Sequence, residues 1–407
     1  MPYNTNSTKN IYLGFFYHYL AWTIPTMLGR EIEILTAILC SIGWGYLIKG
    51  INNAHWKIRF PFHGWYRFLF FLYLIVTLIM IVRGYTIDYE YPWITFKGMI
   101  NYHFFFPTYI LPYLMPLIVF IPYKEHNFIR IVDYSIIASI IMLLCFFTQF
   151  RNIISSSLSG EMYGYKNMSI YVPFTFVILF YRYISFKQWI YNLLAFLCIL
   201  FIAVVAARRG GSVTCSIILL IALFNWSACL SSQFKRNFVR ILLFISLFGA
   251  IYVFNNSSLT AFIRERGMED SRTGVDIALI EQMSDWQLIF GKGLNGRYFY
   301  PIIDGLSPWR YVSETGFYNL VLKGGYLLAI LHIVVLLYPT LLGIFKSRNN
   351  LCKMLGAYVL VSLWELYPFG HLMFDFKFLI IWIGVVLCYN KHVRMMSDLE
   401  IKKLFFS

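Results

Sequence analysis

The sequence predicts an all-α, polytopic integral membrane protein, and three observations carry that prediction. The first is composition: of 407 residues, 59% are hydrophobic and 13% charged, where soluble domains run at roughly 45–50% apolar and about 25% charged. So few charges cannot cover a soluble surface. The second is the spacing of apolar runs, of which about twelve are long enough to cross a bilayer as helix. The third is the placement of the 34 Lys and Arg residues, whose excess over 19 Asp and Glu gives a net charge of +15. They are scattered in small groups between the apolar runs, not gathered in one patch. That distribution argues against a nucleic-acid partner and matches basic cytoplasmic loops.

In chain order the runs lie near residues 11–28, 32–48, 65–83, 103–122, 130–149, 168–184, 188–207, 212–230, 238–254, 316–345, 354–371 and 374–389. The first lacks the basic start and the small-residue cleavage site of a secretory signal, so it is expected to be retained. The tenth is long enough to project beyond the membrane or to break at Gly324-Gly325. The seven cysteines sit in or at the ends of apolar runs without a C-x-x-C pair, which suits small membrane-helix residues better than a disulfide framework or a zinc site. Every second loop is basic, from Lys49, Lys57 and Arg59 through Lys235 and Arg236 to Lys391 and Arg394. The positive-inside rule then puts both termini in the cytoplasm. Residues 1–407 read as a single transmembrane domain.

One of the outward loops differs from the rest. Residues 255–315 form a segment too long for a simple connection, and such loops are usually functional. From Thr273 the pattern T-G-V-D has the form of a capping box. Val275, Leu279, Gln282, Met283, Trp286 and Phe290 then share one helical face, with Gly291 and Gly293 as a stop. The expectation is one amphipathic helix lying on the outer mouth of the bundle.

Several groups have the chemistry of a site. Arg208-Arg209-Gly210-Gly211-Ser212 interrupts two apolar runs at their outward ends, against the charge bias. Guanidinium groups bind phosphate as planar forks, glycines allow close backbone approach, and a helix N-terminus also favours an anion. Arg272 precedes the loop helix, where the dipole repels it unless an anion or a carboxylate such as Asp270 or Asp276 is near. Arg297 and Arg310 are further candidates for an anionic glycan. Glu314, at the start of the tenth run, is a candidate general base, with His371 and Asp375 in the last outward turn as assistants. The acidic pairs Glu31-x-Glu33 and Asp88-x-Glu90 have the spacing to hold a divalent cation, but two acids two residues apart are common by chance, and no metal site is expected. Tyr298, Phe299, Tyr300, Trp309 and Tyr311 suit sugar stacking at the mouth.

Three stretches resemble the Wzy and O-antigen ligase superfamily of bacterial polysaccharide assembly. Arg209-Gly210 after a hydrophobic helix looks like that family's Ser-Arg-Gly segment. Ser271-Arg272, Trp286 and Gly291-Lys292-Gly293 look like its loop motif, and Glu314 to Asn319 followed by Gly324-Gly325-Tyr326 looks like the helix after the loop. The likeness covers roughly residues 200–345. Ligases of lipid A core usually carry His where Glu314 stands here, which favours a polymerase over a ligase.

The resemblance implies transfer of glycan from a polyprenyl-diphosphate-linked oligosaccharide to a lipid-linked acceptor, on the outer (periplasmic) face of the bacterial inner membrane, with membrane lipid and a chain-length regulator protein as partners. Its chemistry needs cations on the leaving diphosphate, for which Arg209 and Arg272 are expected with Arg208 in support, and a base for the acceptor hydroxyl, for which Glu314 is expected. No cofactor is expected. An O-antigen ligase, a lipid-oligosaccharide flippase or exporter, and a metal-dependent glycosyltransferase are the alternative readings.

Overall fold

The computed structural model describes residues 6–27, 33–53, 60–86, 95–159, 172–205, 209–256, 273–300, 308–367 and 370–407. Among them the chain is almost entirely helical, with one two-stranded ribbon. Six of the described helices are long and apolar enough to cross a membrane: Glu33–Asn53, Gly64–Tyr85, Phe128–Ile153, Phe186–Val205, Gly210–Ser227 and Gly316–Phe345. An all-α, membrane-embedded protein follows from them, though they do not establish the expected count of about twelve spans.

The other apolar runs take shapes that their prolines and lengths explain. The run at 103–122 forms a π-helical turn, Asn101–Phe105, and then a 3-10 helix, Leu111–Phe120. Pro107, Pro112, Pro116 and Pro122 each remove an N–H, and Pro116 lies inside the 3-10 helix, so an unbroken α-helical ladder cannot form there. The run at 168–184 is described from residue 172, where Val172–Phe180 is also a 3-10 helix. The last two runs become helices of sixteen and fourteen residues, Asn350–Glu365 and Phe376–Tyr389.

The chain divides into two compact units. The larger comprises Met1–Ala21, Glu33–His126 and Asp270–Leu404. After α1 (Asn6–Met27) and α2 (Glu33–Asn53), helix α3 (Gly64–Thr86) forms its centre against the long helix that starts at Gly316, and the short α4 (Phe96–Ile100) leads into the π-helical turn. Buried polar groups join α3 to the long helix: Tyr66 donates to the carbonyl of Val335 at 2.6 Å, and the Tyr73 hydroxyl meets Nδ1 of His332 at 3.1 Å. In an apolar medium such groups need internal partners, so these bonds fix the register of the pair. Asn349 caps Asn350–Glu365 through the N–H of Cys352, and its amide donates to the carbonyl of Val393 at 2.7 Å, which ties the helix start to the C-terminal segment. A buried ion pair joins Lys377 to Glu365.

The smaller unit comprises Trp22–Ile32, Asn127–Glu269 and Phe405–Ser407. Helices α5 (Phe128–Ser159), α6 (Phe186–Val205) and α7 (Arg209–Ser227) pack with the 3-10 helix Val172–Phe180, and α8 (Gln233–Asn256) comes next in the chain. Side chains meet carbonyls that the 3-10 geometry leaves open: Trp189 Nε1 donates to Ile178 at 2.9 Å and the Asn225 amide to Leu179 at 3.1 Å. All seven cysteines are free thiols.

Candidate functional site

The described part of the long loop folds onto the larger unit. Helix α9 (Thr273–Glu281) is followed, after a break, by α10 (Asp285–Phe290), by strands β1 (Tyr298–Phe299) and β2 (Trp309–Arg310), and by helix α11 (Gly316–Phe345). The single amphipathic helix expected from Thr273 to Phe290 is therefore two helices. Ser284 is the reason: its side chain accepts from the N–H of Gln287 while its own N–H donates to the Gln287 amide, a capping box that starts a new helix. Val275, Leu279 and Met283 are buried as the pattern requires, but Trp286 is 63% exposed because the break rotates it off their face. Gln282, freed from the helical face, brackets β1, donating to the Phe299 carbonyl at 2.8 Å and accepting from its N–H at 2.7 Å.

Gly291 ends α10, and from there the loop forms a clasp with a break in α11. Gly291 and Gly325 share one backbone conformation, φ 71° and ψ −178°, which is open essentially to glycine alone. At Gly325 the helix opens, leaving carbonyls that the loop satisfies: Lys292 N–H donates to Leu322 and Gly293 N–H to Lys323, each at 2.8 Å. From the other side Leu294 N–H donates to Met80, and the Asn295 amide to Gly84 at 2.7 Å. Tyr109 donates to the side-chain Oδ1 of Asn295. Arg83, in the last turn of α3, donates to the carbonyls of Phe290 and Gly291 at 2.7 and 3.1 Å. The break at Gly324-Gly325 is thus the outcome realised of the two that helix length allowed.

Three of the expected site residues lie along the β-ribbon between the clasp and α11, in two clusters on its opposite faces. Tyr298 pairs with Arg310 and Phe299 with Trp309 in antiparallel register. The Arg297 guanidinium stacks on the Trp309 ring, 4.4 Å from its centroid, and Arg310 lies 4.8 Å over Tyr300. Arg310 also forms an ion pair with Glu314 at 3.3 Å. Just beneath, the half-buried carboxylate of Asp276 accepts from the hydroxyls of Ser313 at 2.9 Å and Thr315 at 3.4 Å. Burial pushes the Tyr298 phenol up to about 12, so it serves as a donor, toward the Val312 carbonyl at 3.4 Å.

The other expected residues are distributed differently. Arg208 and Arg272 lie outside the described residues, and Arg209 is the first residue of α7 in the smaller unit. His371 is half-buried in the turn before Phe376–Tyr389, where Asp375 caps the helix by accepting from the N–H of Phe378 at 3.0 Å. Glu31, Asp88 and Glu90 lie outside the described residues, and Glu33 is occupied by an exposed ion pair with Lys97. Among the described residues no group of three His, Cys, Asp or Glu side chains is placed to hold a metal.

Sequence reasoning gave no role to two lysines, although Lys292 stands within the Gly291-Lys292-Gly293 motif. Lys292 and Lys323 are buried at the clasp, donating to the carbonyls of Arg297 at 3.2 Å and Gly296 at 3.1 Å. Burial holds the Lys292 ammonium below the ordinary lysine range. The signal was present for Lys323, a lone cation within an apolar run, and such residues are functional candidates by default.

These features define a class: a helical, membrane-embedded protein with a cation-rich loop clasped onto a broken membrane helix. Comparison with protein-family models, curated proteins and solved structures yields no match to this chain.

Proposed function

We propose that the protein is a bacterial polysaccharide polymerase of the plasma membrane, transferring glycan from a polyprenyl-diphosphate-linked donor to a sugar hydroxyl of a lipid-linked acceptor. The observation that carries this reading is the ribbon before α11, which bears two cation–aromatic clusters, Arg297 on Trp309 and Arg310 on Tyr300, the second paired with Glu314. Cations backed by aromatic rings suit an anionic, sugar-bearing substrate, because rings stack on sugar faces while guanidinium groups take phosphate or acid oxygens.

The chemistry divides among named groups. Glu314 takes the proton of the acceptor hydroxyl, and its pairing with Arg310 orients it for that task. Arg209 and Arg272, with Arg208, stabilise the charge that develops on the leaving diphosphate. Arg297, Arg310 and His371 contribute to binding. The donor lipid enters from the bilayer, so neither a nucleotide-binding loop nor a cofactor is needed.

The test is incubation of purified protein with lipid-linked repeat units and gel analysis of the products. A ladder of increasing length is expected. Transfer of a single unit to a lipid A core acceptor would instead make the protein a ligase, and movement of the lipid without a new glycosidic bond would make it a flippase.

A further inference from the structure

Lys292 and Lys323 are 7% and 6% exposed, and their ammonium groups are directed at adjacent carbonyls of one turn, those of Arg297 and Gly296. Neither has a carboxylate within ion-pair distance among the described residues. An ammonium has three donors, and each lysine uses one of them on its carbonyl. Two like charges directed at neighbouring carbonyls in a poorly solvated region repel each other and gain little from water.

The backbone nonetheless fixes both lysines in place. Lys292 stands between the positive-φ glycines Gly291 and Gly293, and Lys323 occupies the last turn before α11 opens. The hydrogen bonds from Lys292 N–H and Gly293 N–H to Leu322 and Lys323 lock the two segments together. If the clasp needed only packing, an unbranched apolar side chain such as Met would fill either position without the cost of a charge. The Arg83 guanidinium, bonded to the Gly291 carbonyl, brings a third cationic group to the clasp. Broken helices within membranes characteristically surround polar ligands.

We propose that Lys292 and Lys323 form a phosphate-binding site at the clasp, taking a phosphoryl or diphosphoryl group whose oxygens accept the ammonium donors left over. A carboxylate carries a single charge in one plane. A phosphoryl group carries up to two charges and presents acceptors in three directions, which matches two ammonium groups approaching from different chain segments. Identifying the ligand as a lipid-borne diphosphate rests on the polymerase reading, whereas the anion site itself does not.

The test uses the full-length purified protein in detergent, with inorganic pyrophosphate, farnesyl diphosphate and farnesol as probes. Calorimetry should show saturable binding of both diphosphates, weakened at least tenfold by Lys292→Met or Lys323→Met and unchanged by Lys346→Met, which removes an exposed cation. Tighter binding of farnesyl diphosphate than of pyrophosphate assigns a lipid-borne ligand, and equal binding assigns a free one. Farnesol should not compete, and its displacement of pyrophosphate would overturn the site. So would an absence of saturable diphosphate binding to the wild-type protein, or wild-type affinity in both variants. If the variants do not fold, reductive methylation of the wild-type protein decides: pyrophosphate should protect Lys292 and Lys323 but not Lys346, and equal labelling with and without it refutes the proposal. Diphosphate binding without a polymer ladder would reject the polymerase and leave the site standing.

Discussion

Replacing Gly325 by alanine tests the clasp, since all the obstacles are main-chain atoms. A Cβ at Gly325 would lie 2.1 Å from the carbonyl oxygen of Ile289, 2.2 Å from its carbon and 2.5 Å from the nitrogen of Phe290. None of these can rotate aside. The dihedral strain of a non-glycine residue at φ 71°, ψ −178° costs about 1–3 kcal/mol, and forcing neighbours apart adds about 1–3 kcal/mol. Alanine escapes both by turning helical, where it is favoured over glycine by about 1 kcal/mol. That straightens α11 and releases the loop, with loss of the bonds from Lys292 and Gly293 to Leu322 and Lys323. Gly45→Ala is the matched control, because nothing lies within 4 Å of a Cβ there and the residue is inside a regular helix. Thermal melting in detergent, combined with limited proteolysis at Arg297, reads both outcomes. Gly325→Ala should melt well below wild type or expose Arg297, while Gly45→Ala should match or exceed wild type. A Gly325→Ala protein with wild-type melting and an equally protected loop would refute the reasoning.

Other consequences can be checked directly. Arg272→Lys and Arg209→Lys keep the charge but lose the planar fork, so polymer formation should fall by about tenfold or more, and wild-type ladders from well-expressed Arg→Ala proteins would remove both arginines from the chemistry. EDTA and Glu31→Gln should leave turnover intact if guanidinium groups supply the diphosphate stabilisation, whereas loss on chelation that Mg or Mn restores would favour the metal-dependent reading. A cysteine placed at Asp304 should be labelled from outside intact spheroplasts, and inaccessibility would reverse the expected orientation. Lys292 is held below its unfolded pKa, so the unfolded chain binds more protons and stability rises with pH up to the ordinary lysine value of about 10.4. Melting temperature measured at rising pH should show this slope in the wild type and a shallower one in Lys292→Met.

What the sequence could convey depended on whether the deciding interaction was local. The helical class, the stop at Gly291 and the weak point at Gly324-Gly325 were legible, since each follows from composition or from the conformational range of one residue type. The division of the loop helix at Ser284 was written in the sequence as S-D-W-Q, yet it competed with an apolar face that read smoothly across it from Val275 to Phe290. A capping box at Ser284 with Gln287 overrode that periodicity. The 3-10 helices were concealed differently: apolar runs set burial, but Leu111–Phe120 and Val172–Phe180 depend on prolines and on donors from distant residues such as Trp189 and Asn225.

The lysines show which charges a sequence pattern makes visible. Arg208 and Arg209 drew attention because two adjacent cations interrupt the apolar pattern, while Lys323 sat singly in a run long enough to absorb it. In a membrane helix the cost of a charge depends on whether it can reach water, and a lysine one or two turns from an end usually can. Lys323 cannot, because the loop from Gly291 to Arg297 folds over it and offers one carbonyl in place of solvent. That cover is built from residues some thirty positions earlier in the chain, so no window along α11 could have revealed it. The loop that makes Lys323 costly also carries Lys292, whose ammonium is directed at the next carbonyl along, and removing both charges is the experiment on which a structural role and an anion-binding role part: the first predicts a more stable clasp, the second a clasp that has lost its ligand.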